Sequence, residues 1–192
     1  MVVAAPVIAP QAATAQKYSS GYEFLKAVAE KNGEAVIAAL SDPSSQIVNS
    51  RDRSTGKSAL HLVVQRRDGA WVRFLLSHNA NPNLADKDGV TPLQLAVQLG
   101  FREGVEALVA RGARLDVTNV AGETPLISAV HRDDGALVKI LLAAGADPDR
   151  ADNSGRTARD YAGYRPGSAA AAALAANDAE PRTVTPTYGP GL

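Results

Sequence analysis

One stretch of the chain, SRDRSTGKSALHLVVQ, holds residue types that bind phosphate in other proteins. Residues 50–65 place Gly56-Lys57-Ser58 directly before an apolar run, as at the end of a phosphate-binding P-loop. That loop also needs a glycine five positions before its second glycine, so that backbone N–H groups can surround the phosphates. Position 51 is Arg51, and no β-branched apolar run precedes the loop. The stretch therefore argues against nucleotide hydrolysis.

The remaining residues that could do chemistry are few and scattered. The three histidines are His61, His78 and His131, which are too far apart along the chain to suggest a metal cluster. Cysteine is absent, which excludes disulfides, zinc–thiolate sites and cysteine nucleophiles. Helix capping explains the pair of Ser58 and His61, and no paired carboxylates are indicated. We expect no catalytic residue, no metal ion and no cofactor.

The composition restricts the class of protein. A chain of 192 residues allows one domain, or one domain with tails. Twenty basic residues balance twenty acidic ones, which argues against a dedicated nucleic-acid binder and gives no reason to expect an anionic membrane surface as partner. Only 5% of the residues are aromatic, so alanine, valine and leucine must fill the core. No run of apolar residues is long enough to predict a membrane span.

A period of 33 residues organises the chain. The stretches TGKSAL, DGVTPL, AGETPL and SGRTAR repeat at this step, and their glycines are Gly56, Gly89, Gly122 and Gly155. A pair of large apolar residues follows at the same step: Leu75-Leu76, Leu108-Val109 and Leu141-Leu142. The pairs Asn79-Ala80, Gly112-Ala113 and Gly145-Ala146 also keep it. Such a period marks a repeat architecture.

Each unit is predicted to contain two helices. In the second unit, Thr91 suits a helix N-cap and Pro92 the first helical position. A second helix is predicted over residues 102–111, and Gly112 suits the left-handed position that ends it. Ser58 aligns with Thr91, so the stretch at 50–65 is explained as a hairpin tip followed by a helix cap.

The units resemble ankyrin repeats. The stretches GVTPLQLA, LVARGARLD and LLAAGADPD match the TPLH-type helix start and the leucine-pair, glycine-alanine ending of that family. The resemblance implies an all-α solenoid of stacked helix–turn–helix units with β-hairpin-like tips. The predicted domain covers residues 16–165, with a cap at 20–50, full repeats at 53–85, 86–118 and 119–151, and a partial unit at 152–165.

Both ends of the chain have a different composition. Residues 1–15 resemble the back half of a secretory signal that lacks its basic region. A signal here would indicate a bacterial, periplasmic protein; the alternative is a disordered arm on a cytoplasmic one. Residues 166–192 are rich in Ala, Pro and Gly and are expected to be largely disordered, above all from Pro181 onward. Their alanine run suits a short helix capped by Ser168, although isolated helices of that length are marginal in water.

The resemblance also implies roles for single residues. His61 occupies the place of the TPLH histidine, which ties neighbouring turns together. Trp71 aligns with Gly104 and Leu137, and we expect its ring to fill the space that Gly104 leaves in the adjacent repeat. His131 falls at the end of a first helix, facing the groove.

In ankyrin-like stacks, the tips and the exposed ends of the first helices form a concave face that binds other proteins. The residues that the resemblance assigns to this face are Thr55, Lys57, Gln65, Arg66, Lys87, Asp88, Val90, Gln98, Leu99, Val120, Ala121, Glu123, His131 and Arg132. We expect Val90, Leu99 and Val120 to be exposed and to form one apolar patch. The predicted function is a non-catalytic, monomeric module that binds a protein or peptide. The alternatives are a holdase or assembly factor, and an enzyme or small-ligand binder with a cleft between the tips and the alanine-rich tail.

Overall fold

The computed structural model describes residues 19–42 and 46–179. Within these ranges the chain forms ten helices, with a short 3-10 helix at Ile47–Asn49. The helices are α1 (Ser20–Ala29), α2 (Gly33–Ala39), α3 (Ala59–Gln65), α4 (Gly69–Ser77), α5 (Pro92–Gln98), α6 (Arg102–Val109), α7 (Pro125–His131), α8 (Gly135–Ala143), α9 (Ala158–Gly163) and α10 (Ala169–Ala179). The predicted signal segment at 1–15 and the chain from Pro181 onward lie outside the described residues.

The helices stack in two rows. Helices α1, α3, α5, α7 and α9 pack on one another in chain order and form the inner row. Helices α4, α6, α8 and α10 do the same in the outer row, while α2 packs on α1. No strand forms among the described residues, where an isolated bridge joins Arg51 and Ser58. The predicted all-α solenoid of helix pairs is confirmed.

The inner helices of the four units from α3 onward begin as the 33-residue step predicts. Their N-cap residues are Ser58, Thr91, Thr124 and Thr157. In α5 the Thr91 hydroxyl accepts a hydrogen bond from the backbone N–H of Gln94 at 3.3 Å. The Gln94 side chain accepts one in return from the Thr91 N–H at 2.8 Å. Reciprocal capping boxes of this kind start α3, α5 and α9 and fix the direction in which these helices leave their tips.

The outer helices end in the left-handed conformation that the sequence predicted. Gly112 has φ +77° and Gly145 has φ +95°, while Asn79 takes the same place with φ +62°. Glycine tolerates this region because it has no Cβ that would clash with the backbone. Asparagine is one of the few other residues that adopt it, since its short polar side chain can hydrogen-bond locally.

The core is a ladder of aliphatic side chains with one member from each unit. In the inner row Leu60, Leu93 and Leu126 are at most 1% exposed. In the outer row Leu75, Leu108 and Leu141 are fully buried. Because each leucine packs between its own unit and the next, the stack buries a continuous core that no single unit could form.

The fourth unit is more complete than the sequence analysis predicted. Instead of a partial unit at 152–165 followed by a largely disordered tail, α10 packs on α8 and α9 as an outer-row helix. Ala170, Ala173 and Leu174 of α10 are buried. A helix of this length gains stability from packing that it lacks when isolated.

Small residues allow α10 to approach α8 closely. A Cβ on Gly135 would lie 2.6 Å from the carbonyl oxygen of Ala169, so a larger residue at 135 would push α10 away. The Ala170 N–H donates to Asp133 Oδ1 at 2.9 Å. Ser168 caps the helix as predicted, because its hydroxyl accepts a hydrogen bond from the backbone N–H of residue 171 at 3.1 Å.

Candidate partner-binding face

The tips are held by hydrogen bonds to an aspartate or asparagine side chain. These residues are Asp52, Asp86, Asn119 and Asp152. Asp86 Oδ1, for example, accepts from the N–H groups of Asp88 at 3.0 Å and Val90 at 2.9 Å. A glycine with φ between +75° and +78° follows in each tip, where other residues would be strained. The tips therefore hold their side chains in fixed positions.

The carboxylates in these turns serve the fold. Hydrogen bonds from Ser54 and Thr55 lower the pKa of Asp52 to about 2. Hydrogen bonds from the hydroxyls of Ser154 and Tyr161 lower the pKa of Asp152 below its usual range. Both carboxylates are ionised at neutral pH and already accept several hydrogen bonds. They are therefore unsuited to general acid catalysis.

Side chains from the tips reach the ends of the inner helices. Lys57 Nζ donates to Gln65 Oε1 at 3.3 Å. His131 Nδ1 lies 3.3 Å from Glu123 Oε1. In the fourth unit the guanidinium carbon of Arg156 lies 6.0 Å from the ring centroid of Tyr164. These pairs lie at the same two positions of three units, so tip and helix end form one surface. We call it the inner face, and its rows are Lys57, Val90, Glu123 and Arg156, and Gln65, Gln98, His131 and Tyr164.

The fourth unit contributes residues that the sequence analysis missed. Tyr164 is 66% exposed, and its ring centroid lies 6.3 Å from that of Tyr161. Tyr161 in turn packs edge-on against His131 at 4.4 Å. The 33-residue step could have identified both positions, because Tyr164 is in register with His131 and Arg156 with Glu123.

A groove lies at the opposite end of the inner face, between the capping unit and the first repeat. It has a volume of about 700 Å³. Its lining includes Thr55, Lys57 and Gln65, which the resemblance assigned to the partner-binding face, together with side chains of α1 that the sequence did not indicate. We call this cavity the N-terminal groove; the residues that form its floor and rim are Tyr22, Leu25, Lys26, Ala29, Arg53, Lys57 and Leu62.

Two of the predicted contact residues, Arg66 and Arg132, join neighbouring units. Arg66 Nη1 donates to the carbonyl of Val28 at 2.6 Å, and Arg132 Nη1 to that of Gln98 at 2.8 Å. Both carbonyls lie at the C-terminal end of the preceding inner helix, where a cation is favourable because of the unpaired carbonyls and the helix dipole. Arg165, one step further, donates to the carbonyl of residue 130 at 3.2 Å. Arg66 and Arg132 are therefore left out of the binding surface proposed below.

The predicted apolar patch is reduced to one strongly exposed residue. Val120 is 82% exposed. Leu99 is half-buried against the core, and its carbonyl accepts a hydrogen bond from Arg67. Val90 is also half-buried. The sequence placed all three at the edge of the inner face, but contacts between the units cover two of them.

His61 has the structural role that the resemblance implied. Its Nδ1 accepts from the Ser58 N–H at 3.1 Å, which leaves the proton on Nε2 to be donated to the carbonyl of Val90 at 2.9 Å. The side chain is fully buried, and burial lowers its pKa below the usual value. In the second repeat Gln94 takes the same position, but it donates to the carbonyl of Val117, at the end of its own unit, at 3.0 Å.

Trp71 does not fill the space beside Gly104, as the sequence analysis expected. A Cβ on Gly104 would clash with the ring of Phe101, which occupies that space. Trp71 is half-buried and faces the capping unit instead. It lines a cavity of about 260 Å³ with the exposed Ile37, and the Arg66 guanidinium carbon lies 5.1 Å from its ring centroid.

The other predicted contact residues lie at the surface. Glu123 and Lys57 are half-buried, and the exposed ones are Thr55, Gln65, Lys87, Asp88, Gln98, Val120, Ala121 and His131. In the part of the chain that the structure describes, no group of His, Asp and Glu side chains is arranged to hold a metal ion. None of the described helices is long and apolar enough to cross a membrane.

Comparison with known proteins identifies the family. The family model for ankyrin repeats in three copies matches residues 24–119, and the model for many copies matches residues 108–162. The BTB/POZ domain and ankyrin repeat-containing protein NH5.2 of Oryza sativa subsp. japonica is 45% identical over 60 residues, which are 31% of this chain and 12% of that protein.

Two further relatives come from a virus and an insect. The putative ankyrin repeat protein FPV031 of Fowlpox virus is 45% identical over 51 residues, 27% of this chain and 15% of that protein. The nuclear factor NF-kappa-B p110 subunit of Drosophila melanogaster is 42% identical over 52 residues, 27% of this chain and 5% of that protein. The chain thus spans a small part of each relative's length. The chain belongs to the ankyrin-repeat proteins, which are generally non-enzymatic protein-interaction modules.

Proposed function

We propose that this protein binds a protein or peptide partner through its inner face, without catalysing a reaction. The observation that carries the proposal is a recurring side-chain contact between tip and helix end, seen in Lys57–Gln65, Glu123–His131 and Arg156–Tyr164. Each of these contacts links a tip to a helix end within one unit, in three of the four units. Across the stack the side chains at these positions differ from unit to unit above a core that repeats, and together they form one surface. A surface of that kind can recognise an extended partner without a closed pocket.

The chemistry of the face suits protein recognition. Tyr164 combines a large exposed ring with a nearby guanidinium, Arg156, and tyrosine and arginine are enriched where interfaces carry most of their binding energy. Val120 adds an exposed apolar side chain on the tip of the third unit. Charged and polar residues surround these two, as in the polar rim of a protein interface.

The two alternative functions have less support. A holdase needs a broad apolar surface, whereas the large exposed apolar side chains of the described residues are Tyr22, Ile37, Val120 and Tyr164, which lie on four separate elements. An active site between the tips and the alanine-rich tail needs that tail beside the tips. The described part of the tail, α10, packs on α8 and α9.

Affinity capture with the immobilised full chain tests the proposal. The inner-face variant carries Lys57→Glu, Glu123→Lys and Tyr164→Ala, which leave the net charge unchanged. The control variant exchanges two exposed outer-row charges, Glu106→Lys and Arg111→Glu, again without a change in net charge. Each protein is incubated with an extract of the source organism, and the captured proteins are quantified by mass spectrometry.

We expect at least one protein that the wild type and the control capture equally and that the inner-face variant captures at least tenfold less. Thermal unfolding checks that all three proteins are folded. Equal capture by the inner-face variant would contradict the proposal, and loss of capture by the control variant would move the binding surface to the outer row.

A further inference from the structure

The N-terminal groove combines an apolar floor with a cationic rim. Leu25 of α1 and Leu62 of α3 form the floor together with Ala29, and Tyr22, which is 45% exposed, stands at its edge. The cavity of about 700 Å³ is in the size range of sites that hold a few side chains or a small ligand. The floor can therefore bury at least one large apolar side chain of a partner.

The charges that line the groove are unbalanced, although those of the whole chain cancel. Among the described residues, the charged side chains in the lining are Lys26, Arg51, Arg53, Lys57 and Asp52, so four cations face one carboxylate there. Asp52 already accepts hydrogen bonds from Ser54 at 2.5 Å and Thr55 at 2.8 Å. Hydrogen bonds within its own turn therefore already stabilise this carboxylate.

Lys26 and Arg53 are available to a ligand, and Lys57, which donates to the neutral Gln65 at 3.3 Å, can exchange that hydrogen bond for one to a carboxylate. Arg51 is engaged, because its Nε donates to the carbonyl of Gly56 at 2.9 Å and another guanidinium nitrogen to that of Ala85. Lys26, Arg53 and Lys57 form no ion pair with any carboxylate of the described chain. Positive charge at the rim of a binding site attracts and orients a partner of opposite charge.

We propose that the N-terminal groove binds an acidic peptide segment in which an apolar side chain is flanked by carboxylates. The apolar side chain packs on Leu25 and Leu62, and the carboxylates pair with Lys26, Arg53 and Lys57. The inference rests on the proposed function, since it names the chemistry of the partner at one end of the inner face. A peptide is favoured because the groove continues into the rows of the inner face through Lys57 and Gln65.

The floor of the groove argues against single-stranded nucleic acid as the occupant. Proteins that bind single strands stack the bases on aromatic side chains. Here the floor is aliphatic, and Tyr22 is the one aromatic side chain that the described residues contribute to the lining. An aliphatic floor instead suits a leucine or phenylalanine of a peptide, whose burial contributes hydrophobic free energy in proportion to its apolar area.

Selection from a display library of random twelve-residue peptides tests the inference on the full chain. Peptides selected on the wild type are sequenced, and their affinities are measured for three variants by fluorescence polarisation. The groove variant is Arg53→Glu with Lys57→Glu; the third unit carries Glu123 at the position of Lys57, so the fold accepts this residue type. The matched control, Arg111→Glu with Lys139→Glu, changes the net charge equally at two exposed positions of the outer row. The third variant is Glu123→Lys with Tyr164→Ala, at the other end of the inner face.

We expect the selected peptides to be enriched in Asp and Glu around an apolar residue. They should bind the groove variant at least tenfold more weakly than the wild type, bind the control as tightly as the wild type, and lose affinity as salt is added. Peptides without acidic enrichment, or with equal affinity for the groove variant, would overturn the inference. If such peptides lose affinity for the third variant, the proposed function still stands. Two further outcomes would overturn the acidic peptide as occupant. One is failure to select any peptide, and the other is tighter binding of a single-stranded oligonucleotide that depends on Arg53 and Lys57. In either case the capture experiment decides the proposed function separately.

Discussion

His61 uses both nitrogens of its ring, one for a hydrogen bond within the first full repeat and the other for a hydrogen bond to the second. Nδ1 accepts from the Ser58 N–H at 3.1 Å, and Nε2 donates to the Val90 carbonyl at 2.9 Å. Because the ring is fully buried, both hydrogen bonds form away from water. A protonated ring would have to donate from Nδ1, where the Ser58 N–H also donates. The folded state therefore favours the neutral imidazole.

The low pKa of His61 predicts a loss of stability on mild acidification. Burial keeps the folded-state pKa below 6.5, whereas the unfolded chain has the ordinary value. As the pH falls through 6.5, the unfolded state takes up a proton that the folded state refuses, so the free energy of unfolding decreases. The decrease is at most about 1.4 kcal/mol for each pH unit below that value.

His61→Gln provides the comparison for this prediction. Gln94 holds the same position in the second repeat, where it accepts from the Thr91 N–H and donates to the carbonyl of Val117. A glutamine at position 61 should therefore keep both roles, acceptor for the cap N–H and donor to a carbonyl, without titrating. Urea unfolding at pH 7.5 and at pH 5 should show a larger loss for the wild type than for His61→Gln. His78 and His131 are present in both proteins, so their contributions cancel. An equal loss in the two proteins would contradict a depressed pKa for His61.

Sequence patterns predicted the caps better than they predicted the contacts between units. The roles of Ser58 and Thr91 follow from local rules, because an N-cap and its partner are three residues apart. Arg66 and Val28 are 38 residues apart, and Arg132 and Gln98 are 34 apart. Whether such an arginine meets a carbonyl depends on where the previous helix ends in space. For that reason the sequence could assign Arg66 and Arg132 only to an exposed helix end.

The helix α10 closes the stack and completes its last unit. Its leucine, Leu174, is 4% exposed and continues the 33-residue step of Leu75, Leu108 and Leu141. Arg159 adds a polar contact at this end, since it pairs with Asp149 at 2.7 Å and also with Asp178 of α10. A terminal unit with a polar outer surface keeps the apolar core of a repeat stack from water.

Leu174→Ala tests whether α10 is part of the cooperative fold. Because the side chain is buried against α8, its truncation should destabilise the protein by about 2–5 kcal/mol, as in other buried positions. Leu108→Ala in the middle of the stack should cost a similar amount. Urea unfolding followed by circular dichroism measures both. The exposed Ala175→Ser serves as control, and a Leu174→Ala protein as stable as this control would mean that α10 does not contribute to the fold.

The sequence analysis missed α10 as an outer helix for two reasons. Alanine fills most of it, and alanine gives little apolar contrast between the two faces of a helix. The connection from α9 to α10 spans residues 164–168, whereas the one from α7 to α8 spans 132–134, so the start of α10 is displaced by one residue from the 33-residue step. The position of Leu174 was the signal that remained in register.

At the level of the whole chain, repetition fixes the architecture and leaves the inner face to vary. The period alone predicted helix starts, helix ends and the order of packing, because these depend on contacts within a unit and with its neighbours. It did not predict which surface positions are covered. Val90 and Val120 are both tip residues, yet Val90 is half-buried and Val120 is 82% exposed.

The inner face also changes chemistry from one end of the stack to the other. The N-terminal groove carries Lys26, Arg53 and Lys57 above an aliphatic floor. The fourth unit presents Tyr161 and Tyr164 beside Arg156. A partner that lies along the whole face would meet cations at one end and aromatic rings at the other. The positions of the acidic residues in the partner would therefore decide which way round it binds.

Hydrogen–deuterium exchange of the full chain, with and without its captured partner, tests the central claim most directly. If the inner face binds the partner, slower exchange should appear in fragments that cover the tips and inner helices, at residues 52–65, 86–98, 119–131 and 152–164. Fragments from the outer helices α4, α6 and α8 should exchange at the same rate in both samples. Slower exchange confined to the outer row, with the tips unchanged, would contradict the account.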